Sequence, residues 1–240
     1  MRQDRFNPSV PIVTQTDFYN SNFLKHYDKT PKTPTRSNVH KSLKELDDGS
    51  VEFQEILKTL KDLPREENAI RMYSSNHTIG TQRCYTFINE QIHEDDDDTI
   101  SKLMPLIRRA TNQINYNPPS NDCVVYRGIN LTNDNKKLFN IGTIFRFPGF
   151  VSTSKNKEKA KSFGNTLLTI KIYSGCLQVR DISSISYFPE EEEYLFSPYS
   201  LFEVIDTNSE TITLKAHDNK KKIGMDTKLP TFPKNAKLNN

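Results

Sequence analysis

The chain has 240 residues, with 33 basic and 30 acidic side chains, a formal net charge of +3 and a mean hydropathy of −0.71. So even a balance gives no ground for a nucleic-acid partner, and 34% apolar content allows one modest core with polar flanks. No apolar run approaches a membrane span, and the N-terminus MRQDRFNPSV lacks the apolar stretch of a signal peptide. The three cysteines, Cys84, Cys123 and Cys176, are widely spaced and fit neither a metal site nor a disulfide framework. A reducing, cytoplasmic location is expected, although a chain trimmed of its signal would look the same.

Taken in order, residues 1–41 are rich in Asn, Thr, Pro and Lys and contain KTPKTPTRS, which reads as a flexible segment. A single domain is expected over 42–218, followed by a polar, lysine-rich tail over 219–240. Phe53, Ile56, Leu57 and Leu60 recur at helical spacing until Pro64 stops the run. Further helices are predicted over 66–74, 81–93 and 105–116, the last with Pro105 in its first position. The acidic run HEDDDD at 93–98 reads as a solvated loop whose aspartates cap the following helix, and His93 is its sole nitrogen ligand, so no metal is expected there. Beyond Asn117-Pro118-Pro119 the apolar period changes from 3.6 to 2. Strands are predicted over 124–127, 143–147, 150–154, 167–173, 176–180, 194–205 and 211–215, with one short basic helix over 155–163. Helices first and strands second argue an α+β fold.

Three clusters carry candidate chemistry: Tyr126-Arg127-Gly128; Gly149-Phe150-Val151-Ser152-Thr153-Ser154 with Phe163 beyond it; and Phe188 to Pro198, FPEEEEYLFSP. Each has an ordinary explanation when taken alone. An arginine at a strand end is commonly an ion-pair residue, a Ser-Thr-Ser triplet before a helix a cap, and a glutamate run a solvated loop. If the chain is extended from Glu191 onward, Glu191 and Glu193 share one face and Glu192 points the other way. No glycine-rich phosphate loop and no Ser–His pairing is present.

Together, in this order and spacing, the clusters resemble the arginine-type mono-ADP-ribosyltransferases over residues 66–215. That family is marked by an arginine on an early strand, a Ser-Thr-Ser strand and a Glu-x-Glu opening a later strand. The resemblance implies a helical N-terminal lobe packed on two mostly antiparallel sheets, with NAD or NADP in the cleft between them. Because the family's second glutamate directly precedes the apolar strand, it makes Glu193 the catalytic residue and Glu191 its partner. Glu190 and Glu192 are the alternative pair. It further implies that Ser152 orients Glu193, Arg127 holds the diphosphate, Gly128 and Ser154 border the cofactor, and Phe163 stacks on nicotinamide. Phe188 would present the target and Glu191 would engage its guanidinium. The implied activity is transfer of ADP-ribose from NAD to protein arginine by a monomer, with no metal, nucleic acid or membrane. The alternatives on the same fold are an NAD glycohydrolase and an inactive module that binds NAD or a partner.

Overall fold

The computed structural model describes residues 12–13, 15–47, 49–62 and 68–217. The lysine-rich tail over 219–240, the first eleven residues and Pro64 lie outside the described residues. The helical lobe begins well before Ser42. Helices α1 (Gln15–Tyr19), α2 (Asn22–Lys29) and α3 (Arg36–Leu43) fall in the stretch that composition marked as a flexible segment. Their polar residues act as caps. Ser21 accepts from Leu24 N at the start of α2, and Thr35 and Asn38 form a reciprocal capping box on α3. Phe23, Val39 and Leu43 are the buried apolar positions of these two helices.

Helix α4 (Val51–Asp62) buries the four predicted residues Phe53, Ile56, Leu57 and Leu60. Next come α5 (Asn68–Tyr73) and a tight hairpin of β1 (Thr78–Ile79) and β2 (Gln82–Arg83), which the sequence reading did not contain. Helix α6 (Cys84–Glu94) then leads into α7 (Asp97–Asn115), which starts in the acidic run and carries Pro105 in its interior, not at its first position. The aspartates explain the early start. Asp96 accepts from Thr99 N at 2.8 Å, and Asp97 and Asp98 occupy the first turn, where the helix dipole favours anions. α7 also anchors the N-terminal helices: Arg108 donates to Tyr27 O, Arg109 to Pro34 O at 2.8 Å and Asn112 to Lys32 O at 2.7 Å.

The second half supplies β3 (Cys123–Ile129), the short α8 (Asn133–Lys136), β4 (Ile144–Phe147), β5 (Val151–Ser154), α9 (Lys157–Lys161), β6 (Thr166–Ile172), β7 (Val179–Asp181), β8 (Glu193–Phe196), β9 (Ser200–Thr207) and β10 (Thr211–Ala216). The stretch predicted as one strand over 194–205 is two. Tyr199 takes a left-handed backbone (φ 54°) between β8 and β9, and its ring is buried against Phe18 and Phe23 at centroid distances of 4.9 and 4.6 Å. Burial of that ring holds a turn that no glycine announces.

Eight strands form one ladder in the order β4-β9-β10-β6-β3-β5-β8-β7, in which only β10 and β6 run parallel. The ladder is nearly severed between β3 and β5, which share the single register pair Tyr126–Ser154. The two sheets implied by the resemblance are thus two blades of one ladder, five strands and three. Their facing side chains form one core, with Val125, Leu168 and Phe202 on one blade and Val151, Tyr194 and Phe196 on the other. The opposite face of the three-strand blade, carrying Leu195, packs on the helical lobe through a second core. Strand alternation therefore puts Glu193 on the same side of β8 as Leu195, toward the helices, and leaves Tyr194 and Phe196 between the blades.

Candidate active site

The site is built where β5 and β8 pair. Their register sets Ser154 opposite Glu193 and Ser152 opposite Leu195. Ser152 and Glu193 are therefore diagonal neighbours on one face, within reach of each other. The Ser152 hydroxyl donates to Glu193 Oε1 at 2.5 Å, and both residues are buried, with Glu193 2% exposed. A second hydroxyl, absent from the sequence expectations, donates from Ser186 to Glu193 Oε2 at 3.2 Å. A carboxylate buried at a cleft wall is costly unless hydrogen-bonded, and here each of its oxygens receives a donor.

Glu191 reaches the cleft by a different route from the one its spacing suggested. It is not extended. It ends a 3-10 turn over Pro189–Glu191, and Glu192 then takes a left-handed conformation (φ 46°) before β8 starts at Glu193. Pro189, with its fixed φ, starts the turn, and three contacts pin its backbone: Ser154 Oγ donates to Glu191 O at 2.9 Å, Lys159 Nζ to Glu190 O at 3.2 Å and Lys155 N to Glu192 O at 3.3 Å. Glu190 and Glu192 are exposed, whereas Glu191 is half-buried.

One cleft is lined by Ser152, Ser154, Phe163, Glu191 and Glu193, so five of the expected site residues meet. Tyr126, from the first sequence cluster, and Lys159, which the sequence did not single out, line it too. Arg127, Gly128 and Phe188 stand outside this lining. Arg127 is buried in β3 beside it and donates to Ser152 O at 3.4 Å. Burial pushes its guanidinium down to about 10, with the Tyr73 hydroxyl pulling the other way, so it stays charged near neutrality. Gly128 has a packing reason of its own. A Cβ there would stand 2.1 Å from Ala160 O, so glycine lets α9 and the Phe163–Gly164 turn lie on β3. Phe188 is half-buried ahead of the turn and makes an edge contact with Tyr187 at a centroid distance of 4.9 Å.

The helical lobe holds the start of the strand that carries Ser152. Asn89 of α6 accepts from Phe150 N at 2.9 Å and donates to the Tyr73 hydroxyl at 3.0 Å, which fixes the entrance to β5. The cleft thus joins a held carboxylate, a second carboxylate on a pinned turn and an aromatic ring, with a buried cation adjoining. That set suits a ligand with a cationic ring at one end and an anionic group at the other. Among the described residues no group of three or more His, Cys, Asp or Glu side chains is placed to hold a metal ion.

The chain is 35% identical over 92 residues to an NAD(P)(+)–arginine ADP-ribosyltransferase 1 of Gallus gallus, a match covering 38% of this chain and 27% of that protein. It is 42% identical over 66 residues to ecto-ADP-ribosyltransferase 4 of Homo sapiens, covering 27% of this chain and 19% of that one. The chain therefore spans under a third of the length of these relatives. In structure it resembles the ADP-ribosyltransferase HopU1 of Pseudomonas syringae, with a TM-score of 0.54 over 76% of this chain and 96% of that one at 19% identity. The family model described as NAD:arginine ADP-ribosyltransferase matches residues 58–222, a stretch that holds Arg127, the Ser152 strand and the glutamate turn. The chain belongs to the NAD:arginine ADP-ribosyltransferase family.

Proposed function

We propose that the protein transfers ADP-ribose from NAD or NADP to arginine side chains of proteins and releases nicotinamide. The observation that carries this reading is the Glu193 carboxylate, buried at the cleft wall under the Ser152 hydroxyl, with Glu191 one turn away in the same cleft. Cleavage breaks the bond between the ribose and the nicotinamide nitrogen. The ring leaves with the bonding electrons and becomes neutral, so no general acid is needed, and positive charge develops on the ribose. A fixed carboxylate there stabilises that charge, as in glycoside hydrolysis. Glu193 takes this role and Ser152 keeps it oriented.

Arg127 offers a preorganised fork of donors for the diphosphate, and its burial raises the strength of that attraction. Phe163, half-buried in the cleft, gives the departing cationic ring an apolar face. Glu191 receives the target guanidinium and takes the proton that its nitrogen must lose, since a free guanidinium is almost fully protonated at neutral pH. Phe188, at the entry to the turn, presents the target. Ser154 acts through the turn, because its hydroxyl holds the Glu191 carbonyl.

The test is incubation of the protein with labelled NAD, with and without agmatine, following both nicotinamide and labelled agmatine. Labelled agmatine is expected, and Glu193→Gln is expected to abolish both products while keeping the fold. Nicotinamide without labelled agmatine or labelled protein would convert the reading to an NAD glycohydrolase. Wild-type activity in Glu193→Gln would remove Glu193 from the chemistry.

A further inference from the structure

We infer that Ser186 is a positioning residue that couples the Glu193 carboxylate to the loop that presents the target, an inference that rests on the transferase reading above. Ser186 is 1% exposed and lies outside every recognisable motif, in the stretch Ile182–Tyr187. Its hydroxyl has two partners. It accepts from Phe188 N at 3.2 Å and donates to Glu193 Oε2 at 3.2 Å. The polarity of the second bond follows from chemistry: Phe188 contributes the N–H, and an ionised carboxylate only accepts, so the single serine proton lies toward Glu193.

The backbone of Ser186 is clamped on both sides, so the hydroxyl is aimed before any ligand arrives. Ser186 N donates to Ile182 O at 2.7 Å, and Ile182 N in turn donates to Glu193 O at 2.9 Å. On the other side, Arg71 Nη1 donates to Ser186 O at 3.3 Å and to Ile185 O at 3.4 Å. Next along the chain, Tyr187 N donates to Ser74 Oγ at 3.0 Å. A closed circuit results, from Glu193 main chain to Ile182, to Ser186, and back to the Glu193 side chain. Ser152 holds the other carboxylate oxygen at 2.5 Å. With one hydroxyl on each oxygen, rotation of the carboxylate about its last torsion breaks at least one bond. The same Ser186 oxygen receives the Phe188 N–H, so the orientation of Glu193 and the start of the target-presenting turn share one atom.

Kinetics of Ser186→Ala, Ser186→Thr and Ser186→Cys test this, with nicotinamide release and agmatine labelling measured side by side. In Ser186→Ala, kcat for nicotinamide release is expected to fall about tenfold or more with KM for NAD within about twofold, the split for a group that acts only through geometry at the transition state. Agmatine labelling should fall further than nicotinamide release, because the turn loses its hold as well. Ser186→Thr keeps the hydroxyl and should recover most of the loss, and Ser186→Cys, a weak donor of similar size, should lie between them. Wild-type kcat in folded Ser186→Ala or in Ser186→Cys would overturn the inference, as would a Ser186→Ala loss that Ser186→Thr does not recover. If the wild-type protein turns over no NAD, the transferase reading fails by itself. The crystal structures of wild type and Ser186→Ala then decide the positioning question alone. A Glu193 carboxylate displaced from its place opposite Ser152 supports it, and one left unmoved overturns it.

Discussion

Two glutamates separated by one residue stand on unlike backbones. Glu193 is a strand residue in a ladder, buried and hydrogen-bonded, whereas Glu191 closes a short turn and is half-buried. Glu191→Gln therefore leaves the carboxylate at position 193 and its serine partners in place. Labelling of agmatine by this variant is expected to drop by at least about a hundredfold, while NAD hydrolysis stays within about tenfold of wild type. Parallel measurement of the two products checks this, and an equal loss of both would end the division of labour. At this scale much was legible, because Arg127, Ser152 and Glu193 sit in short contiguous signatures. Ser186 was not. Its place at the Glu193 carboxylate comes from the Ile182–Ser186–Glu193 circuit, which folds the chain back on itself and leaves no spacing to read. Glu191 lines the cleft from a turn that Pro189 starts, where strand alternation predicts an extended chain.

Among elements, a helix with a clear apolar period is legible in the sequence, and helices held by caps and cross-links are not. Helix α4 shows its four buried residues at helical spacing. Helices α2 and α3 show few apolar residues and are also held by polar contacts made far along the chain. Asp95 is the clearest case. It takes a left-handed conformation at the end of α6 (φ 54°), and its carboxylate accepts from Asn22 N at 2.7 Å and Phe23 N at 2.8 Å, capping α2 from more than seventy residues away. Asp95→Ala is expected to destabilise the fold by about 1–3 kcal/mol, the range for hydrogen bonds to a charged group that orphan two helix N–H donors. Amide exchange in α2 should quicken along with a lower Tm. An unchanged Tm with unchanged exchange would mean that α2 is held by Phe23 and Leu24 packing alone.

For the molecule as a whole, two half-buried histidines link the helical lobe to pH. Burial lowers His77, with Glu55 partly opposing, and burial lowers His93 as well. In both, the folded state binds its proton less readily than the unfolded chain does. Their contribution is complete above the unfolded value, about pH 6.5, and is lost as pH falls through the lower folded values. The Tm is therefore expected to fall as pH drops below about 6.5, and His77→Gln/His93→Gln should flatten that slope. A slope unchanged in the double variant would assign the acid sensitivity elsewhere. The α+β class and the order of the strands along the chain were visible in the change of period after Asn117. The joint between blades was not, because register is set by tertiary packing. That joint is the single pair Tyr126–Ser154, and the two residues that follow and precede it, Arg127 and Thr153, belong to different blades. One register pair joins β3 to β5, against seven that join β3 to β6. In the proposed reading, the arginine assigned to the diphosphate and the glutamate assigned to the ribose stand on separate blades, and the Arg127–Ser152 hydrogen bond at 3.4 Å ties the two blades beside that single rung.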